Sequence, residues 1–373
     1  MFYAAQDSPK NMIRHHGQSP ERIKEEVFYM LTPKQNMLET IKGGNPDRFV
    51  NQFEALNFLF HPFMMSSPSA GRGQENVVNA WGVTNSWPEN VPGGFPVHTP
   101  EKIVVKDIEH WSDYVKAPSL KFTDEQWGIF KAQYDAVDGN LAYKAAFVAP
   151  GLFEQSHHLC GMAQALEYYA LYEDEMKGII KLLTEWELEL AEGICSNLKP
   201  DAIFHHDDWG SEKSTFLSPA MFADYFLEPY KQIYKYYHDH GVELIFHHAD
   251  SYAATLVPYM IEMGIDVWQG CMESNNVPEL VKKYGDKITF MGGIDNKSMD
   301  FSGWTREDCA KAARKMCNSK DTRGFIPCIT QGGAGSTFPG AYEVLVEEID
   351  KASEDVFGIK ASEIERMPMQ LLF

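Results

Sequence analysis

Asp201-Ala202-Ile203-Phe204-His205-His206-Asp207-Asp208 and Val242-Glu243-Leu244-Ile245-Phe246-His247-His248-Ala249-Asp250 carry the same phrase, Ile-Phe-His-His, at the end of an apolar run. Each copy is followed by small or polar residues and then by a helical pattern. Imidazoles and carboxylates placed where a buried strand meets a loop are what a metal or acid/base site requires. Around them the chain turns regular. Short apolar runs recur at 202–204, 244–246, 266–269, 288–291 and 325–329, with amphipathic stretches between them. The clearest of these stretches opens at Ser218-Pro219 and closes at His240-Gly241; another covers 277–284 and stops at Gly285. Serine as N-cap, proline in the first turn and glycine after the last turn mark helix ends. Strand–helix alternation at this spacing predicts parallel βαβ units.

Further runs before residue 200, notably 145–149 and 48–59, bring the strand count close to eight. The economical fold is an α/β (β/α)8 TIM barrel. A doubly wound sheet is disfavoured, because no Gly-x-Gly-x-x-Gly follows a strand. Thr32-Pro33-Lys34 opens the first helix, so residues 1–31 read as an N-terminal arm and 32–373 as one barrel domain. Residues 155–197 have long helical periodicity. Residues 60–100, rich in Gly, Pro, Ser and Asn, are too long for a plain connection and read as an elaborated loop or lid.

Composition narrows the function. The chain has 373 residues, 44% hydrophobic and 13% aromatic, enough for a large core. Its 53 acids against 33 bases give a net charge of -20, which disfavours nucleic acid and anionic membranes as partners. Only eight residues are arginine, a poor endowment for a heavily anionic substrate. No apolar stretch is long enough to span a bilayer. The first residues hold no apolar leader core, and the six cysteines include no Cys-x-x-Cys pair. Both observations lead to the expectation of a reducing, cytoplasmic setting.

In a barrel the C-terminal strand ends form the working face. His248-x-Asp250, followed one βα unit later by Cys271 or Glu273, offers nitrogen, oxygen and sulfur donors suited to zinc. The bland alternative has His248 bonded to a carbonyl, Asp250 capping a helix and Cys271 inert in the core. Asp207 and Asp208 form an acidic pair, one of which can face the pocket as a catalytic residue. His158, of the His157-His158 pair, is a substrate-binding candidate at another strand exit. Gln331 and Gly332, with Gly333 and Gly335, form a glycine-rich loop after the last run; without a following Lys-Ser/Thr it is not a P-loop.

The order and spacing of several short motifs resemble the uroporphyrinogen decarboxylase superfamily, over residues 32 to 355. They are Thr32-Pro33-Lys34, Pro46-Asp47-Arg48, Asp107-Ile108 with Trp111 and Pro118, Asp207-Asp208-Trp209-Gly210, Leu217-Ser218-Pro219, Glu228-Pro229-Tyr230, Phe246-His247-His248-Ala249-Asp250, Met263-Gly264-Ile265-Asp266-Val267, Tyr284-Gly285-Asp286-Lys287-Ile288, and Gly292-Gly293-Ile294-Asp295. The resemblance implies a barrel, and it extends to zinc-dependent corrinoid methyltransferases of anaerobes. The decarboxylases' arginine-rich segment is matched only loosely by Arg14-His15-His16-Gly17-Gln18, where Gln18 stands for the second arginine. The coenzyme M type uses His-x-Cys where this chain has His248-x-Asp250.

A harder donor set, His248, Asp250 and Cys271 with Glu273 as substitute, implies a stronger Lewis acid. That suits demethylation of an ether or amine. The resemblance therefore implies a zinc-dependent methyltransferase that passes a methyl group from a small methylated compound to a corrinoid carried by a partner protein. Asp207 or Asp208 would be catalytic, with Trp209, His158, Gln331 and Gly332 binding substrate. Trp81, Trp87 and Trp268 are further candidates for an aromatic pocket, and the chain would be a monomer or homodimer. On this reading the first copy of the phrase matters through Asp207 and Asp208, and His205 and His206 have no assigned role. The alternative is a metal-independent decarboxylase.

Overall fold

The computed structural model describes residues 30–366 apart from 92, 331 and 332. The expected N-terminal arm therefore lies almost wholly outside the described residues, as do Gln331 and Gly332 of the last loop. Thr32 caps the first helix, Pro33–Lys42, through a reciprocal pair with Gln35, and Gly43 ends it in a left-handed conformation at φ 66°.

Among the described residues ten strands follow in chain order: β1 Leu56–Leu59, β2 Gln74–Val78, β3 Thr84–Trp87, β4 Phe95–Pro96, β5 Tyr143–Val148, β6 Ala202–His206, β7 Leu244–Ser251, β8 Val267–Cys271, β9 Thr289–Gly293 and β10 Phe325–Cys328. Seven of them form one parallel sheet in the order β1-β5-β6-β7-β8-β9-β10. Helices connect the strands, the longest being Glu173–Asn197.

Side chains alternate across each strand. Phe58, Phe147, Phe204, Phe246, Val267, Met291, Ile326 and Cys328 meet in one core on the concave side. The ring of Phe204 lies 5.9, 5.0 and 5.8 Å from those of Phe53, Phe58 and Phe147. Intervening residues such as Ile203, Ile245, Trp268 and Phe290 pack outward against the helices.

The sheet is thus a curled half-barrel of TIM type with seven strands among the described residues, one short of the eight expected. The stretch 48–55, expected to begin a strand, is a turn-rich loop instead. Its backbone is spoken for: Asn36 Nδ2 donates to the Arg48 carbonyl at 3.1 Å, and the Asn51 amide donates to Glu54 Oε1 at 3.1 Å instead of to a strand partner. Its side chains Val50 and Phe53, with Met37 of the first helix, join the core beside Leu56 and Ile326. Side chains here occupy the place between the edge strands.

The expected lid at 60–100 is a three-stranded antiparallel sheet, β2-β3-β4. Trp81 pins it by packing edge-on against Trp186, with ring centres 5.0 Å apart. The predicted helix from Ser218 is present, but Ala223–Leu227 winds as a π-helix before Glu228–Asp239 continues. No helix among the described residues is long and apolar enough to cross a membrane.

Candidate active site

The doubled histidines divide by strand geometry. Residues 204 and 206 share one face of β6, and 246 and 248 share one face of β7. The strands pair in register, Phe204 with Phe246 and His206 with His248. His206 and His248 therefore point to the mouth of the half-barrel above the phenylalanine layer, with rings stacked 4.5 Å apart. His205 and His247 point outward and are fully buried beneath the helix Glu228–Asp239.

Asp208 completes a group. One ligand atom from each of His206, Asp208 and His248 lies within 4.8 Å of the others, and no other such cluster of metal-type donors occurs among the described residues. Asp208 Oδ1 is 4.0 Å from His248 Nε2 and accepts the Asp250 amide at 2.6 Å. Each imidazole is held from behind. His206 Nδ1 is 2.8 Å from Glu154 Oε2, and His248 Nδ1 bonds Gln269 Oε1. An oxygen acceptor at Nδ1 places a proton there, so Nε2 is the nitrogen open to a cation, which on His206 would displace a proton.

Burial lowers His248 to about 4, helped by the neighbouring His206. Burial acts in the same direction on His206, but the Glu154 carboxylate and the acids at 207 and 208 outweigh it and push the imidazole up to about 10. Burial pushes the Glu154 carboxyl up to about 7. Two imidazoles and a carboxylate, anchored by a second carboxylate and an amide, make a donor set that fits a divalent ion of the zinc type.

Asp207 occupies a different place from that expected. It is fully buried, and its carboxylate accepts from the Phe153 amide at 3.1 Å, the Glu154 amide at 2.7 Å, Trp209 Nε1 at 2.7 Å and the Tyr230 hydroxyl. Four donors occupy its oxygens, so it fastens the start of helix Leu152–Cys160 to β6 rather than facing a pocket. Trp209 lies behind the sheet, stacked on His247 at 3.9 Å, and does not line the mouth. Trp81 and Trp268 are likewise core residues, and Trp268 Nε1 donates to the Ala249 carbonyl at 3.0 Å.

The four expected ligands are not brought together. His248 stands in the cluster. Asp250 lies beside it, pushed up to about 6 by burial and by Asp208, with Oδ1 lacking a hydrogen-bond partner. It lines a groove of about 900 Å³ over the ends of β8 and β9, with Met272, Asn296 and Thr330. Cys271 turns away. Gly270, at φ 90°, forms a bulge where a Cβ would sit 2.8 Å from the Ala249 carbonyl oxygen. Gln269 points inward like Val267, and the extra residue then reverses the alternation, so Cys271 joins the outer core with Trp268 and Phe290. Its burial raises the thiol well above the usual range. Glu273 is exposed and paired with Lys315.

His158 lies within electrostatic reach of His206, His157 and His98, the last carried in by the lid; burial lowers it well below the usual range. His206, Glu154 and Gln269 are the residues sequence reasoning passed over. For His206 the signal was present, because identical phrases on adjacent strands predict identical facing.

The chain matches the family model "Uroporphyrinogen decarboxylase (URO-D)" over residues 79–352. Among solved structures it is similar to "methyltransferase from Methanosarcina mazei", with TM-score 0.58 and 14% identity, over 86% of this chain and 99% of that one. A D-psicose 3-epimerase solved in the presence of D-fructose also matches, with TM-score 0.30 and 13% identity over 64% of this chain and 85% of that one. No curated protein matches.

Proposed function

The chain belongs to the uroporphyrinogen decarboxylase family, and from that premise we propose that it is a metal-dependent methyltransferase taking a methyl group from a small methylated ether or amine and passing it to the corrinoid of a partner protein. One observation carries this reading: two imidazoles with Nδ1 anchored meet Asp208 at the mouth of the half-barrel, within 4.8 Å of one another. His206, Asp208 and His248 would hold the ion, which we take to be zinc. This set replaces the sequence expectation of His248, Asp250, Cys271 and Glu273. When bound, the ion polarises the methylated heteroatom and makes it a better leaving group.

The residues of the chain supply the rest. Glu154 and Gln269 hold the two rings in the ligating orientation. Asp250, beside the cluster and ionisable near neutrality, is placed to receive or return the proton on the departing heteroatom. The groove next to Asp250 gives the substrate room, and Met272, Val277 and Met316 supply apolar lining. The fold likeness to a methyltransferase is compatible with this reading.

Decarboxylation is the weaker alternative. A carboxylate-rich substrate needs cationic clamps, and four of the six described arginines are engaged elsewhere. Arg48 is buried against Asp47 and the Leu31 carbonyl, and Arg306, Arg314 and Arg366 pair with acids away from the mouth. The test is elemental analysis of the purified chain together with a screen of methyl ethers and methylamines, using a cobalt(I) corrinoid as acceptor. Zinc at one per chain with a methylated corrinoid product supports the proposal. Metal-free protein that releases carbon dioxide without a corrinoid overturns it.

A further inference from the structure

A buried hydrogen-bond chain runs behind the sheet and ends on the peptide that carries Asp208. Glu187 Oε1, on helix Glu173–Asn197, is 2.6 Å from His205 Nε2. His205 Nδ1 lies 3.3 Å from the Tyr234 hydroxyl, which lies 2.8 Å from His247 Nδ1. His247 Nε2 is 3.2 Å from the Asp207 carbonyl oxygen. All four side chains are buried.

Both ends of the chain are oxygens, the Glu187 carboxylate and the Asp207 carbonyl. A carbonyl oxygen only accepts, so His247 Nε2 carries a hydrogen and donates. That leaves His247 Nδ1 to accept from the single hydroxyl proton of Tyr234, whose oxygen faces His205 Nδ1, and the short contact between His205 Nε2 and Glu187 Oε1 holds one further proton. The Asp207 carbonyl belongs to the peptide bond leading into Asp208. The Asp207 amide is meanwhile held by the His248 carbonyl at 3.0 Å, and its carboxylate by four donors. With its carbonyl taken by His247, every polar group of Asp207 is held, and the peptide leading into Asp208 is held with it.

We propose that Tyr234 is a positioning residue for the His206, Asp208 and His248 cluster. It joins the inward-facing histidines to the helix layer through their outward-facing neighbours. The repeated His-His phrase then has a use for both members of each pair: the second faces the mouth, and the first braces the strand end from behind. The inference rests on the metal reading for its affinity measurement, but not for its spectroscopic one.

Tyr237 supplies an internal control. It lies on the same helix, is equally buried, and its hydroxyl has no partner. Tyr234→Phe and Tyr237→Phe each remove one buried hydroxyl from the full chain. Cobalt(II) is titrated into each variant by visible absorption, and ring 15N–1H spectra of the histidines are recorded before metal is added. Tyr234→Phe is expected to weaken cobalt(II) about tenfold, in the range for outer-layer partners of metal ligands. It should also move the His206 and His248 ring signals, while Tyr237→Phe leaves both readouts at the wild-type values. Equal effects from the two variants, or no effect from Tyr234→Phe, overturn the proposal. If the wild-type chain binds no cobalt(II) or zinc(II), the metal reading fails, and the ring spectra alone decide whether Tyr234 positions the cluster.

Discussion

His206 and His248 are register partners on adjacent parallel strands, with rings stacked 4.5 Å apart at 24° and Nδ1 atoms tied to Glu154 and Gln269. The two copies of the phrase are thus geometric equals. If these imidazoles hold the ion as proposed, alanine at either position should lower zinc or cobalt(II) affinity at least 100-fold, because each removes one of the proposed ligand nitrogens. Cys271→Ser, on the outer side of the β8 bulge, should leave affinity within about twofold. Competition with a chelating indicator measures all three. A large loss in the Cys271 variant would restore the thiolate-containing set.

Glu154 and Gln269 would act on a bound ion only through the histidines they hold. Glu154→Gln and Gln269→Leu should each weaken metal about 10- to 100-fold, the usual cost of losing an outer partner. The same titration applies, with zinc content per chain as a second readout.

Asp207 is a fastening group, so its loss should appear first as instability. Asp207→Asn sets an amide N–H₂ against groups that are all donors, in a fully buried place. The expected cost is about 2–4 kcal/mol in urea denaturation, from a lost charged acceptor and unsatisfied buried donors. A variant as stable as wild type but dead in methyl transfer would return Asp207 to a catalytic role.

Gly151 leaves no room for a side chain. A Cβ there would sit 2.5 Å from Asp207 Cβ and 2.7 Å from His205 Cε1, both deep in the β6 strand end. Gly151→Ala should destabilise by about 1–3 kcal/mol through overpacking. It should also weaken metal binding, because the displaced atoms belong to the residues on either side of His206. Denaturation and cobalt(II) titration on one preparation check both effects.

His61, buried at the end of β1, governs part of the acid limb of stability. Burial lowers it from 6.5 to about 4, so the folded state keeps it neutral where the unfolded chain takes a proton. Its contribution is complete above pH 6.5 and is lost as pH falls from 6.5 towards 4. The full window amounts to about 3 kcal/mol. His61→Phe should flatten that limb relative to wild type. Urea midpoints between pH 4 and pH 7 test this, and parallel curves for the two proteins would refute it.

Much of the scaffold was legible in the chain itself. Thr32-Pro33, Ser218-Pro219 and Gly285 mark helix ends by local capping chemistry, which needs no distant partner. The apolar runs at 202, 244, 266, 288 and 325 became consecutive parallel strands, because period-two burial and intervening amphipathic helices allow little else. The same periodicity, followed strictly, turns His206 and His248 inward and His205 and His247 outward. Ranking the two copies by resemblance obscured this.

Tertiary structure decided the rest, and the reason is distance along the chain. Glu154 stands 52 residues from His206, and Gln269 stands 21 from His248, so no local pattern pairs them. The bulge at Gly270 reverses one alternation and removes Cys271 from the mouth, an effect of backbone register that strand-run reading cannot detect. Asp207 and Asp208 are neighbours with equal chemistry. Only the packing of helix Leu152–Cys160 and Tyr230 onto β6 binds the first and leaves the second beside two imidazoles.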